Sequence, residues 1–108
     1  MKIAFERTPT AICAVLYEPG ECDRIISVSR ASDAIDALAL DIHTAALKPL
    51  DALFSLPRVV CAEIERREGG WRVEVAYWNK GLGTLAQYEE GAATLSEALA
   101  RCVWALAG

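Results

Sequence analysis

The apolar positions of this chain change period several times, and each change marks an element. Ala11-Ile-Cys-Ala-Val-Leu-Tyr17 is a near-continuous apolar run that stops at Glu18-Pro19-Gly20-Glu21, where Pro presets φ and Gly tolerates a positive one. Arg24 to Val28 returns as a second strand, so the pattern predicts a hairpin. Lys2 to Glu6 predicts a short edge strand, cut off by the Thr8-Pro9 break. Ile35, Leu38, Ile42, Ala45 and Ala46 then recur at spacings of three and four. That stripe predicts a helix over residues 32–47, with Ser32 as N-cap and Asp33 and Asp36 complementing the helix dipole. Pro49 suits the first turn of a second, short helix over 49–56, which Pro57 closes.

The second half alternates. Val60, Ala62 and Ile64 interleave with Cys61, Glu63 and Glu65, and Trp71, Val73, Val75 and Tyr77 interleave with Arg72 and Glu74, leaving Trp78 on the polar face. Gly69-Gly70 between them predicts a two-residue turn. With those glycines at its centre, Glu65 faces Glu74 and Cys61 faces Trp78, and Arg67 and Arg72 must offset the like charges. Asn79 to Gly83 reads as a loop and Thr84 to Glu89 as a third strand. Thr94-Leu95-Ser96-Glu97 is a capping box that opens a last helix with the stripe Leu95, Ala98, Leu99, Cys102, Val103 and Leu106, and Trp104 at its edge. Ala11-Ile-Cys-Ala-Val-Leu and Val59-Val-Cys-Ala-Glu-Ile echo one another at an offset of 48 residues. The expected fold is α+β: a single two-layer domain over 1–108, with an antiparallel sheet of about five strands and two main helices packed on it. It divides into two strand-strand-helix halves, the second with an extra strand.

Composition narrows the function classes. Apolar residues at 54% and charged residues at 24% give a globular balance, and 108 residues make one core. No uncharged stretch approaches the roughly 18 residues of a membrane span, and Glu6 and Arg7 interrupt any signal-peptide core, so a cytoplasmic location is expected. The net charge of −4 leaves no basic stripe for a nucleic-acid backbone and favours a basic partner surface. Cys13, Cys22, Cys61 and Cys102 lie 9, 39 and 41 residues apart, which suits reduced thiols packed as small hydrophobes better than a metal or redox site.

Candidate chemistry is sparse. His43 is the only histidine and lies beside the first helix's apolar stripe, so a structural or surface role outweighs the Cys-His nucleophile of a small thiol enzyme, the last-ranked function. Gly81-Leu-Gly83 after Lys80 lacks the spacing of a phosphate loop and the helix that should follow it. No catalytic, metal-binding or cofactor-binding residue is expected. What remains is the outer face of the second hairpin, where Glu63, Glu65, Arg67, Arg72, Glu74 and Trp78 form a mixed-charge patch with one large aromatic, the composition of a protein-protein contact. The competing reading is a Trp78 covered by the first-half strands or the short helix. An unpaired edge strand or an exposed Trp78 would also admit a homodimer.

Alanine occurs 19 times and Arg outnumbers Lys eight to three, usage that points to a GC-rich bacterial or bacteriophage genome. From Trp71-Arg-Val-Glu-Val to Gly91-Ala-Ala-Thr-Leu-Ser-Glu-Ala-Leu-Ala-Arg-Cys the chain resembles small phage proteins in which a short sheet precedes a helix. Thr94-Leu95-Ser96-Glu97-Ala98-Leu99 is similar to the helix start of HicB-type antitoxins, which implies a module that neutralises a small toxin. In size, acidity and α/β makeup the chain also resembles phage-encoded anti-CRISPR proteins. That resemblance implies a non-enzymatic, stoichiometric inhibitor that occupies a basic surface of a bacterial nucleoprotein defence complex.

Overall fold

Strand alternation puts Ile3 and Phe5, Ala14 and Leu16, Ala62 and Ile64, and Val73 and Val75 on one face of a sheet, each at most 3% exposed. The computed structural model describes residues 1–107. Its strands are β1 (Lys2–Arg7), β2 (Ile12–Tyr17), β3 (Arg24–Val28), β4 (Val59–Arg67), β5 (Gly70–Asn79) and β6 (Thr84–Ala92). Its helices are α1 (Ala31–Ala37), α2 (Leu47–Ser55) and α3 (Leu95–Leu106), and a 3₁₀ turn at Thr44–Ala46 leads into α2. The strands form one antiparallel sheet in the order β3-β2-β1-β4-β5-β6. Ile35, Leu50, Leu53, Phe54, Leu99 and Cys102 cover its apolar face in a single core, and among the described residues no helix covers the opposite face. Among the described residues no helix is long and apolar enough to cross a membrane.

The α+β class holds, but the sheet has six strands rather than five, and the helices number three rather than two. Lys2–Arg7 is not an edge strand. It pairs with β2 on one side and β4 on the other, and forms the seam between the halves. Each half is therefore strand-strand-strand-helical. The equivalent of β4 is β1, so the short echo between Ala11–Leu16 and Val59–Ile64 matches strands in unlike places.

The helix expected over 32–47 stops at Ala37. Ala39 has φ of 53°, the left-handed region, and closes α1 with Leu40 N–H on the Ile35 carbonyl at 3.0 Å and its own N–H on Asp36 at 3.1 Å. This is a Schellman stop with Ala where Gly is usual. Past it, Ile42, His43 and Thr44 are poor helix formers, and the His43 Nδ1 accepts from Ala45 N–H at 3.0 Å, starting a new turn instead of continuing the old. Pro49 is the third residue of α2, where its missing N–H costs no helical bond. Ser32 is inside α1, not its N-cap; Asp51 of α2 takes that role by accepting from Ser32 N–H at 2.9 Å and from its hydroxyl. The first and second helices are thus fastened end to side by one carboxylate. At α3, Thr94 accepts from Glu97 N–H at 3.3 Å, but Glu97 turns to Arg101, so only half of the capping box forms.

Candidate functional site: the open face of the sheet

The second hairpin turns at Glu68-Gly69, with Arg67 opposite Gly70, and this sets every pair above it. Glu65 lies opposite Arg72, Glu63 opposite Glu74 and Cys61 opposite Ala76. A bulge between Val59 and Cys61 then shifts the register, and Trp78 finds its neighbour on β6, opposite Leu85. The expected pairs of Glu65 with Glu74 and Cys61 with Trp78 do not form, because the chain turns one residue earlier than the glycine pair suggested.

Glu63, Glu65, Arg67, Arg72, Glu74 and Trp78 all stand on the open face. Trp78 is 44% exposed and Leu85 beside it 53%, so neither the first-half strands nor α2 covers the indole. The charges pair among themselves: Lys2 with Glu63 at 2.9 Å, Arg67 with Glu65 at 2.5 Å and Arg72 with Glu74 at 2.7 Å. Arg72, with a side chain only 15% exposed, is the hub, since Glu65 and Glu89 each lie 3.8 Å from it. The Arg67 guanidinium holds the Glu65 carboxyl below its ordinary range, and Glu63 holds the Lys2 ammonium above its own. Glu63, Glu74 and Glu89 run side by side across three strands, an arrangement that needs these cations.

Next to this network the face dips into a trough of about 350 Å³ floored by Ala4, Cys13, Cys61 and Ala76, with Glu6 and Gln87 at its sides. Cys13 and Cys61 flank Glu6 on the two strands next to β1, which puts them roughly 9.5 Å apart, beyond disulfide reach. Burial, reinforced by the Glu6 charge, pushes the Cys61 thiol up, the opposite of nucleophile activation. Burial likewise pushes Cys102 up to about 12. His43 lies away from this face, in the link between α1 and α2. Among the described residues no three His, Cys, Asp or Glu side chains gather as a metal ion would require.

Lys2, Ala4, Glu6, Cys13, Leu85 and Gln87 belong to the same face beside Glu89, and the sequence pattern alone does not place these six there. Their alternation in Lys-Ile-Ala-Phe-Glu was legible; what was missing was the place of β1 beside β4. On the helix side of β6, the Tyr88 hydroxyl donates to Glu90, which pushes the phenol up to about 12. The neutral phenol is favoured, so its contribution to stability is complete below pH 10, the ordinary tyrosine value, and is lost as pH rises through about 12. Titration followed at 295 nm should show Tyr88 ionising late, and Glu90→Gln should bring it back toward the ordinary tyrosine value. Unchanged titration in that variant would refute the contact.

No protein-family model, curated protein or solved structure matches the chain.

Proposed function

We propose that this chain is a non-enzymatic binding protein that engages another protein through the open sheet face. One observation carries the reading: Trp78 and Leu85 stand exposed, side by side, at the end of an ion-pair network held within the face itself. A large aromatic on a rigid strand loses little conformational freedom when a partner covers it, and charges already paired around it need no rearrangement. Five carboxylates, Glu6, Glu63, Glu65, Glu74 and Glu89, against three cations, Lys2, Arg67 and Arg72, leave the face net negative. A basic partner surface suits it. The specific form proposed is a stoichiometric inhibitor of a bacterial nucleoprotein defence complex of the CRISPR-Cas kind, taken up on its protein surface rather than on its nucleic acid. The antitoxin-like alternative draws on Thr94–Leu99, whose pattern here serves to start α3.

Pull-down from a bacterial host, with partners identified by mass spectrometry, tests it. The wild-type chain should capture a defence nucleoprotein complex in equimolar amount. Trp78→Ala should weaken capture by roughly tenfold or more, and reversal of Glu63, Glu65 and Glu74 to Lys should abolish it. Capture indifferent to both variants refutes the surface, and capture of a small toxin instead favours the antitoxin reading.

A further inference from the structure

β6 is an edge strand of nine residues, hydrogen-bonded only to β5 and in a register without a bulge. The direction of its remaining backbone groups follows from its neighbour. The Trp78 N–H turns toward β4 and donates to the Arg58 carbonyl at 2.8 Å, so the Trp78 backbone faces away from β6. Its partner Leu85 therefore directs its N–H and C=O out of the sheet, and Gln87, Glu89 and Gly91 follow at a period of two. The Gly91 carbonyl agrees with that parity, because Arg101 Nη1 reaches it from outside at 3.2 Å. This contact closes one end of the edge and leaves Leu85, Gln87 and Glu89 presenting donors and acceptors outward. Proteins usually blunt such an edge with a charge, a Pro, a bulge or a cover. Thr84 to Tyr88 has neither charge nor Pro. On the helix side, Tyr88, Glu90, Ala100, Arg101 and Trp104 line a depression of about 410 Å³, and Trp104 is 85% exposed.

The geometry points to a second copy of this chain as the occupant of the edge, paired β6 to β6 antiparallel about a two-fold axis at Gln87. Gln87 is the middle one of the outward-facing residues. The axis pairs it with its own copy and Leu85 with Glu89 of the second copy, which uses each free group and stops where Arg101 covers Gly91. Glu89 and Glu90 then meet Leu85 and Thr84 rather than each other, so no like charges are opposed. On the helix side the ring of Tyr88 faces the small Ala86, and Trp104 of each copy stands beside the seam, adding apolar area to the backbone bonds. The two open faces become one continuous surface. This assembly does not depend on the partner reading above.

Sedimentation of the full chain from roughly 1 µM to 1 mM should show the mass rising from 11.7 kDa toward twice that value. Gln87→Pro removes an outward N–H and no bond to β5, so it should keep the far-UV CD spectrum while weakening association by roughly tenfold or more. Gln87→Lys sets like charges on the axis and should weaken association in the same way even where Pro disturbs the strand. A chain still monomeric at roughly 1 mM, or a dimer that neither variant weakens, overturns the proposal. So does a monomer whose β6 amides gain exchange protection only when an extended peptide is added.

Discussion

Phe5→Ala should lower the free energy of unfolding by about 3–5 kcal/mol, read from the urea midpoint at constant slope. Phe5 is 1% exposed, and its ring meets Phe54 of α2 at a centroid distance of 5.7 Å and an angle of 56°. Truncation removes the transfer energy of the ring and leaves a cavity that flanking strands on both sides cannot collapse into, because β2 and β4 hold β1 in place. Against a total of about 5–15 kcal/mol for a domain of this size, the variant would sit close to unfolding at ambient temperature. The result also tests topology. A Phe on a frayed edge strand would give way cheaply, so a loss below about 1.5 kcal/mol would argue that β1 is not at the centre.

Gly70→Ala should cost about 1–3 kcal/mol, again by urea unfolding, for a reason different from its neighbour's. A Cβ at Gly70 would lie 2.4 Å from the Ala92 carbonyl oxygen, and that atom belongs to backbone at the end of β6, so no side chain can swing aside. Gly69 has open space around it but φ of 81°, so Gly69→Ala should cost about 1–2 kcal/mol through conformation alone. Gly69→Asn should recover part of that loss, since Asn tolerates the left-handed region, whereas Gly70→Asn should be no better than Ala. Equal behaviour of the two Asn variants would contradict the assigned turn.

These two glycines show where sequence reasoning stops. Local chemistry was legible: the turn at Pro19-Gly20, the alternation along Cys61–Arg67 and Trp71–Trp78, and the start of α3 at Thr94 appear where the pattern put them, whereas the bulge at the start of β4 buries Val59 in place of the expected Val60. Choices made by distant contacts were not. Nothing within Lys2–Arg7 says that its partner is Glu65 rather than solvent, and nothing in Gly69-Gly70 says which glycine bends the chain and which makes room for Ala92. The stripe running through Ile42 and Ala46 is apolar at helical spacing, yet both residues reach the core from a broken chain, with Ala39 bending it between them and α1. The candidate face was half legible for the same reason. Its β4 and β5 residues share one hairpin and could be read together, while Lys2, Glu6 and Cys13 arrive through the β1 seam and Glu89 through the register of β6.

That seam also governs how the chain can fold. β1 precedes the other strands and can pair early with its neighbour β2, but its other edge must wait for β4, whose Glu65 meets Lys2 across more than half the length of the chain. Until then the N-terminal half carries an open edge along β1, with Ile3 and Phe5 lacking the β4 side chains that finish the core around them. Folding should therefore be rate-limited by closure of this long-range pair rather than by either hairpin, and the two similar halves should melt in one transition, since neither completes its own centre.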